Sequence, residues 1–311
     1  MKSKTNYAAA ILCASALSLA RPAAATEGAS SYYFPGANGT FATALPPAPG
    51  FMLANQTFYY DATVDRAVLG GRVDANLKIE AVYDYVSGLY TPKNPVLGGT
   101  FQAGVAVPVA HVKLDASLEA AGTSRSVSDK DSNLGDIILI PASCYWGSGN
   151  FLFKLAESVI APSGHYDADN AANVGRNYWG FDTTATASWF NQKTGTELAV
   201  IPGIEFNTEN PDTNYKSGDE FHVDFMANQF LAETFAVGAQ GYYYQQLTGD
   251  SGEGAALGDF KGESLGFGPA LLWLPAAGKG KLSIVGKWLH DVQADNRIEA
   301  DYGQFTVACA F

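Results

Sequence analysis

Between Tyr178 and Trp189 the chain alternates without a break. Trp179, Phe181, Thr183, Ala185, Ala187 and Trp189 fall on one side, and Tyr178, Gly180, Asp182, Thr184, Thr186 and Ser188 fall on the other. Successive side chains of an extended strand point to opposite faces, so this block predicts a strand with one apolar and one wetter face. The two Trp are ten residues apart, about 33 Å of extended chain. At a strand tilt of about 40° that projects to roughly 25 Å, the height of the apolar band between the aromatic girdles of a transmembrane β-barrel. Blocks of the same kind recur. Leu77, Ile79, Ala81, Tyr83 and Tyr85 alternate with Asn76, Lys78, Glu80, Val82 and Asp84, and Phe221, Val223 and Phe225 alternate with His222, Asp224 and Met226. The charge-poor runs 94–112 and 137–153 are interrupted by Gly, Pro and amides, which excludes spanning helices.

Alternation alone also suits a soluble sandwich. The chain ends with Phe305, Val307, Cys309 and Phe311 on one face and an aromatic last residue. This resembles the C-terminal strand by which Gram-negative outer-membrane barrels are recognised for assembly, so Phe305, Val307 and Phe311 are expected to engage the barrel-assembly machinery. The other end carries the pattern of a secretory signal. Lys2 and Lys4 precede an apolar run from Tyr7 to Ala20, and Ala23, Ala24 and Ala25 supply the small residues for cleavage before Thr26. Residues 1–25 are therefore expected to be a cleaved signal peptide. Cys13 would leave with it, so only Cys144 and Cys309 remain, too few for a disulfide framework.

The predicted fold is all-β, an antiparallel transmembrane barrel of twelve strands in the bacterial outer membrane. Counted from the C-terminus, the strands lie near 302–311, 281–292, 260–273, 233–247, 219–230, 195–207, 178–189, 150–160, 134–145, 99–119, 72–87 and 50–61. Pro108 suits a central strand poorly and leaves open a division of 99–119 into two. An even number of strands returns both ends to the periplasm. The turns near 191–194 and 231–232 then face the periplasm, and the longer acidic loops 161–177, 208–218 and 248–259 face outside. Residues 26–49, rich in Ala, Gly and Pro, form either a loose periplasmic tail, the reading favoured by the usual disorder of termini, or a plug in the lumen. Residues 50–311 form the barrel.

Charge removes further classes. The sequence has 19 basic and 31 acidic residues, a net charge of −12, which repels nucleic-acid phosphates and excludes a nucleic-acid partner. A hydrophobic content of 47% against 16% charged residues excludes disorder. No HExxH, P-loop, CxxC or dinucleotide fingerprint occurs, and no cofactor, metal site or catalytic residue is implied. Gly249-Asp250-Ser251-Gly252 matches the tetrapeptide around a serine-protease nucleophile, but Glu253 follows where Gly is needed and no supporting His motif is present.

The segments Asn133-Leu134-Gly135-Asp136, Ala161-Pro162-Ser163-Gly164-His165-Tyr166-Asp167, Val174-Gly175-Arg176-Asn177-Tyr178-Trp179, Asn207 to His222 and Tyr244 to Gly252 are similar to the outer-membrane family labelled "meta-pathway of phenol degradation". The resemblance spans the mature chain and is most specific over Asn207 to His222, while Ser163 departs from the Thr expected there. It implies a barrel associated with uptake of aromatic or other hydrophobic compounds.

Twelve strands fall between the filled eight-strand barrels and the open porins, so a narrow, partly occluded lumen is expected. Candidates to line it are Glu80, Asp182, Glu197, Glu205, His222, Asp224 and Lys287. Arg176, Glu209, Lys216, Asp219 and Glu220, at strand ends, are expected near the outer mouth as a constriction or gate. Tyr242 and Tyr244 share a face with Gly238 and Gln240. If that face is luminal they can stack on an aromatic solute; otherwise they belong to the girdle. The expected function is passive passage of small aromatic or hydrophobic molecules through a monomer seated in outer-membrane lipid. The rival readings are an outer-membrane hydrolase and a non-transporting structural barrel.

Overall fold

In the computed structural model, residues 26–69, 72–120, 123–255, 258 and 261–311 are described; the expected signal peptide lies outside them. The elements are β1 (Gly50–Leu69), β2 (Arg72–Thr91), β3 (Thr100–Ala120), β4 (Thr123–Leu134), β5 (Ile137–Ser148), β6 (Phe151–Ala161), β7 (Gly180–Asn191), β8 (Thr196–Asn207), β9 (Glu220–Ala232), β10 (Phe235–Gln246), β11 (Glu263–Trp273), β12 (Leu282–Asp295) and β13 (Glu299–Ala310). Every pairing is antiparallel, and all join sequence neighbours except those of β3 with β5 and of β1 with β13. β1 pairs with β13, Met52 opposite Ala310, which closes the sheet.

β4 and β5 are two halves of one stave. β4 pairs with β3 as far as Leu134 opposite Val109, and β5 takes over at Ile138 opposite Ala106. The barrel thus has the expected twelve staves. Pro108 sits at the handover, inside one uninterrupted strand and not at a division into two. Its carbonyl accepts from Gly135 N (3.0 Å), so the side of the strand that lacks an N–H faces the break between β4 and β5.

Most of residues 123–134 lie between the expected strands 99–119 and 134–145, yet they form a strand of their own. They form β4 because the inward groups are acids that accept backbone amides. Asp129 Oδ2 takes Ala171 N (2.9 Å) and Ala172 N (3.0 Å), and Asp131 Oδ2 takes Val174 N (3.1 Å).

The outward face is the apolar belt predicted from alternation. In β7 the exposed residues are Phe181, Thr183, Ala185 and Ala187, and the buried ones are Thr184, Thr186 and Ser188. Phe151, Phe153, Leu155, Leu198, Val200, Phe267, Leu271 and Phe305 continue the belt. Closed through the β1–β13 pairing and with an apolar exterior, such a sheet suits lipid on its outside.

β1, β2 and β3 are 20, 20 and 21 residues long, far beyond the expected ends of β1 and β2. Twenty residues extend about 66 Å, or about 50 Å along a tilted axis, twice the apolar band. Where the strands leave the lipid, polarity inverts. Lys78 lies 2.9 Å from Glu80 and 3.6 Å from Asp61, and Lys113 lies 2.7 Å from Asp115, all on the outside. Leu77, Ile79, Ala81, Val112 and Leu114 point inward and are buried. The expected luminal position of Glu80 is therefore corrected: beyond the membrane the outer face meets water, so the charged side turns outward. Cys144 and Cys309 are free thiols.

Candidate functional site

The interior is occupied by the chain's own residues 26–49, and the loose-tail reading does not describe their contacts. Wall side chains hold this segment by its backbone at points from Thr26 to Thr43. Asp250 Oδ2 accepts from Thr26 N (2.7 Å) and Ser217 Oγ from Glu27 N (3.3 Å). Arg176 donates to the carbonyls of Ser30 (3.2 Å) and Ser31 (2.8 Å) and to Ser30 Oγ (2.9 Å), and Arg297 donates to Ser31 Oγ (3.1 Å). Asp224 Oδ2 accepts from Asn38 N and Gly39 N, both at 2.9 Å. Lys287 Nζ donates to the carbonyls of Gly36 (2.7 Å) and Gly39. Glu197 accepts from Ala42 N (2.7 Å) and Thr43 N (3.0 Å), and Asn228 Nδ2 donates to Thr40 O (3.2 Å).

Tyr33 and Phe41 of this segment are buried in apolar clusters with wall residues, and Phe34 packs against the first of these, while most of its other residues are Gly, Ala, Ser and Pro. Its backbone donors and acceptors must be met inside the barrel, and the inward acids, amides and Lys287 meet them. The clue available in sequence was this pairing of needs: an Ala/Gly-rich segment whose backbone groups must be satisfied, and staves carrying isolated charges at Glu197, Asp224 and Lys287.

Three consecutive aromatic side chains of the segment, Tyr32, Tyr33 and Phe34, enter the upper lumen, Tyr32 donating to Asp136 Oδ2 (2.8 Å) and the Tyr178 carbonyl (2.7 Å). Phe34 packs against Phe58 (ring centroids 4.7 Å apart), Tyr83 (5.3 Å) and Tyr60 (5.8 Å). Tyr33 stacks on His222 with centroids 4.0 Å apart and 12° between planes, and Tyr244 and Tyr242 stand 6.2 and 6.1 Å away. The Tyr33 hydroxyl donates to Asp224 Oδ1 and accepts from Gly36 N (3.3 Å). His222 Nε2 is 3.0 Å from Asp182 Oδ1, and the Arg297 guanidinium lies 3.5 Å above the Tyr244 ring. Tyr242 OH donates to Asp291.

The structure brings Arg176, Asp182, Glu205, Glu220, His222, Asp224, Tyr242 and Tyr244 together inside the barrel. Glu205 and Glu220 are opposed in register across β8 and β9 and are fully buried. Tyr242 and Tyr244 are luminal, with Tyr243 between them on the outer face. Glu209 and Lys216 are exposed on the outer loops and Asp219 is half-buried there, apart from the inner cluster. Lys216 pairs through its backbone with the exposed Ser251. The pattern did not single out Arg297, Asp250 or Tyr33. All three lie outside the strands, where alternation carries no signal.

Electrostatics outside the staves follows from burial. Desolvation pushes the carboxyls of Glu27 and Asp250 above their ordinary range, partly offset at Glu27 by Asn210 and Arg176 and at Asp250 by the Tyr215 hydroxyl and the Gly218 and Thr26 amides.

The space left is asymmetric. Towards the periplasm a cavity of about 1060 Å³ opens beneath Phe41 and Thr43, bounded by Gln56, Gln102, Lys154 and Gln304. Towards the outside, the hollow beside Glu27, Arg176, Tyr178 and Tyr60 measures about 80 Å³, and two others near Tyr83 and Arg176 measure about 20 Å³ each. A larger apolar hollow of about 790 Å³, between Phe151, Leu198, Phe225 and Phe267, is a dimple in the lipid-facing wall.

Comparison with solved structures places this architecture among outer-membrane barrels. The COG4313 outer membrane channel from Pseudomonas putida F1 superposes with a TM-score of 0.69 at 15% identity, covering 90% of this chain and 100% of that one. The β domain of the Bordetella autotransporter Brka gives a TM-score of 0.52 at 8% identity, covering 84% and 100%. A search of curated proteins finds no match. The family model described as "Putative MetA-pathway of phenol degradation" matches residues 61–307, so this outer-membrane, channel-like barrel belongs to that phenol-degradation family.

Proposed function

We propose that the barrel is a gated passive route for small aromatic or hydrophobic molecules, with residues 26–49 as its plug. One observation carries this reading: wall side chains grip the backbone of the segment in the lumen through polar contacts, alongside the apolar packing of Tyr33, Phe34 and Phe41. Polar anchors of this kind can be exchanged for water or solute, whereas a close-packed core resists such exchange. The aromatic lining around Tyr33 and Phe34 favours flat apolar solutes, and the acids at Asp182, Glu205, Glu220 and Asp224 disfavour anions. Glu209, Lys216 and Asp219 meet the solute first, at the outer rim. Passage has no energy source of its own, so consumption inside the cell sets its direction. We further propose that the protein works as a monomer and that Phe305, Val307 and Phe311 present the last strand to the assembly machinery.

The test is planar-bilayer conductance of the purified full-length protein, with folding verified, titrated with phenol. A small conductance that phenol modulates saturably is expected. A folded barrel that neither conducts nor releases small aromatics from liposomes refutes the reading.

A further inference from the structure

The plug side chain Tyr33 is chemically a phenol carrying an alkyl group opposite its hydroxyl. The barrel wall provides what a free phenol requires. Asp224 accepts the hydroxyl proton, the His222 ring stacks against one face at 4.0 Å, and Tyr242 and Tyr244 enclose the rest. Tyr33 is 4% exposed and these wall groups 0–1%, so the pocket is closed to solvent on every side. His222 is held in place from behind by Asp182 at 3.0 Å, and Asp224 is held by the Asn38 and Gly39 amides, in a loop that Lys287 Nζ anchors at the Gly36 and Gly39 carbonyls. The pocket is thus a pre-oriented one, since its stacking surface and its acceptor are each fixed by partners other than Tyr33.

We propose that this pocket is a binding site for small neutral phenols, and that Tyr33 occupies it as a built-in substitute for the solute. The proposal rests on the reading of the barrel as a route for aromatic molecules and names the chemistry it selects. A ring without a hydroxyl leaves Asp224 Oδ1 without the donor that Tyr33 supplies, and an anionic ring meets the same carboxylate as a like charge. A phenol arriving in the lumen competes with Tyr33 for His222 and Asp224, and its binding frees the segment around Ser31 to Gly36. Solute and plug are in this way alternative occupants of one site, which couples arrival of the solute to release of the plug.

The test uses full-length Tyr33→Ala protein in detergent, with phenol, benzene and benzoate as probes and binding read by calorimetry and by the shift in melting temperature. Phenol is expected to bind Tyr33→Ala about tenfold or more tightly than benzene, from one hydrogen bond to a charged acceptor. Benzoate is expected not to bind. Tyr33→Phe, which keeps the ring in place, is expected to bind none of the three. Equal affinity for phenol and benzene, or no binding by a folded Tyr33→Ala barrel, overturns the proposal. A second measurement needs no substitution: in the wild-type protein, phenol should accelerate amide exchange at residues 31–34 and at Gly36 saturably while benzoate does not, and exchange that is indifferent to phenol overturns it equally. These readouts are independent of conduction. Phenol binding in a barrel that passes nothing upholds the site and refutes the route, and conduction without phenol binding does the reverse.

Discussion

Glu197 gives the sharpest test of how the plug is held. Its carboxylate takes Ala42 N at 2.7 Å and Thr43 N at 3.0 Å from the plug, and Asn228 Nδ2 at 3.0 Å and Ser188 Oγ at 3.3 Å from the wall. Replacing it with Ala removes the acceptor and leaves two buried backbone N–H groups unmet. A hydrogen bond to a charged partner contributes about 1.5–3 kcal/mol, and an orphaned buried donor costs about 1–3 kcal/mol. Taking the lower figure for each of the two plug bonds gives about 3 kcal/mol. That corresponds to a shift of about 100-fold between docked and released segment. Native-state amide exchange reads this quantity directly, because protection reports the free energy of local opening. In Glu197→Ala, protection at Ala42 and Thr43 should fall about 100-fold. Protection at Asn38 and Gly39, held by Asp224, should fall less, and the strand amides of β8 should stay put. If Ala42 and Thr43 keep their protection within about threefold in a folded Glu197→Ala barrel, the carboxylate is not the anchor and the account of the plug fails.

Burial raises the Glu27 and Asp250 carboxyls in the docked state, so the docked state binds protons more tightly than the released one. Docking of Thr26 to Ala29 should therefore strengthen as pH falls from the raised values towards the ordinary carboxylate range near about 4. Above the raised values it should be weakest and flat. Exchange at these amides, corrected for intrinsic rate, should be slower at pH 5 than at pH 8, and the opposite trend contradicts the assignment. A Cβ on Gly203 would fall 2.2 Å from His222 Cε1, and His222 cannot retreat because Tyr33 stacks on it and Asp182 holds it. Gly203→Ala should lower the unfolding midpoint by an overpacking cost of about 1–3 kcal/mol and loosen Tyr33. An unchanged midpoint and unchanged exchange at Tyr33 would show that the ring is free to move. Removing Phe311 should reduce the amount of folded barrel in the outer membrane without altering the melting of what does assemble. Normal abundance would deny the last residue its proposed role in assembly.

Fold class was legible because lipid imposes a periodicity on sequence. A residue facing hydrocarbon must be apolar, its neighbours face inward, and Phe181 to Trp189 display the result without reference to any other part of the chain. The same rule made twelve staves countable and put Asp182, Glu197, Glu205, His222, Asp224 and Lys287 on inward positions. It misled at Glu80, because outside the lipid the solvent on the outer face is water and the pattern keeps its period while changing its sign. It missed β4 because a strand whose buried acids cap a loop's amides carries no apolar alternation.

The course of residues 26–49 was decided by tertiary structure alone. Their composition specifies no strand or helix, so read in isolation the segment is a loose tail. It becomes ordered because staves distant in sequence, β8 with Glu197, β9 with Asp224 and β12 with Lys287, converge on one lumen and offer donors and acceptors that a Gly- and Ala-rich backbone can approach closely. Periodicity along a strand reports which medium each face meets. What fills the enclosed space depends on complementarity between groups 150 to 250 residues apart, such as Glu197 with Ala42 and Lys287 with Gly36, and no local pattern encodes that.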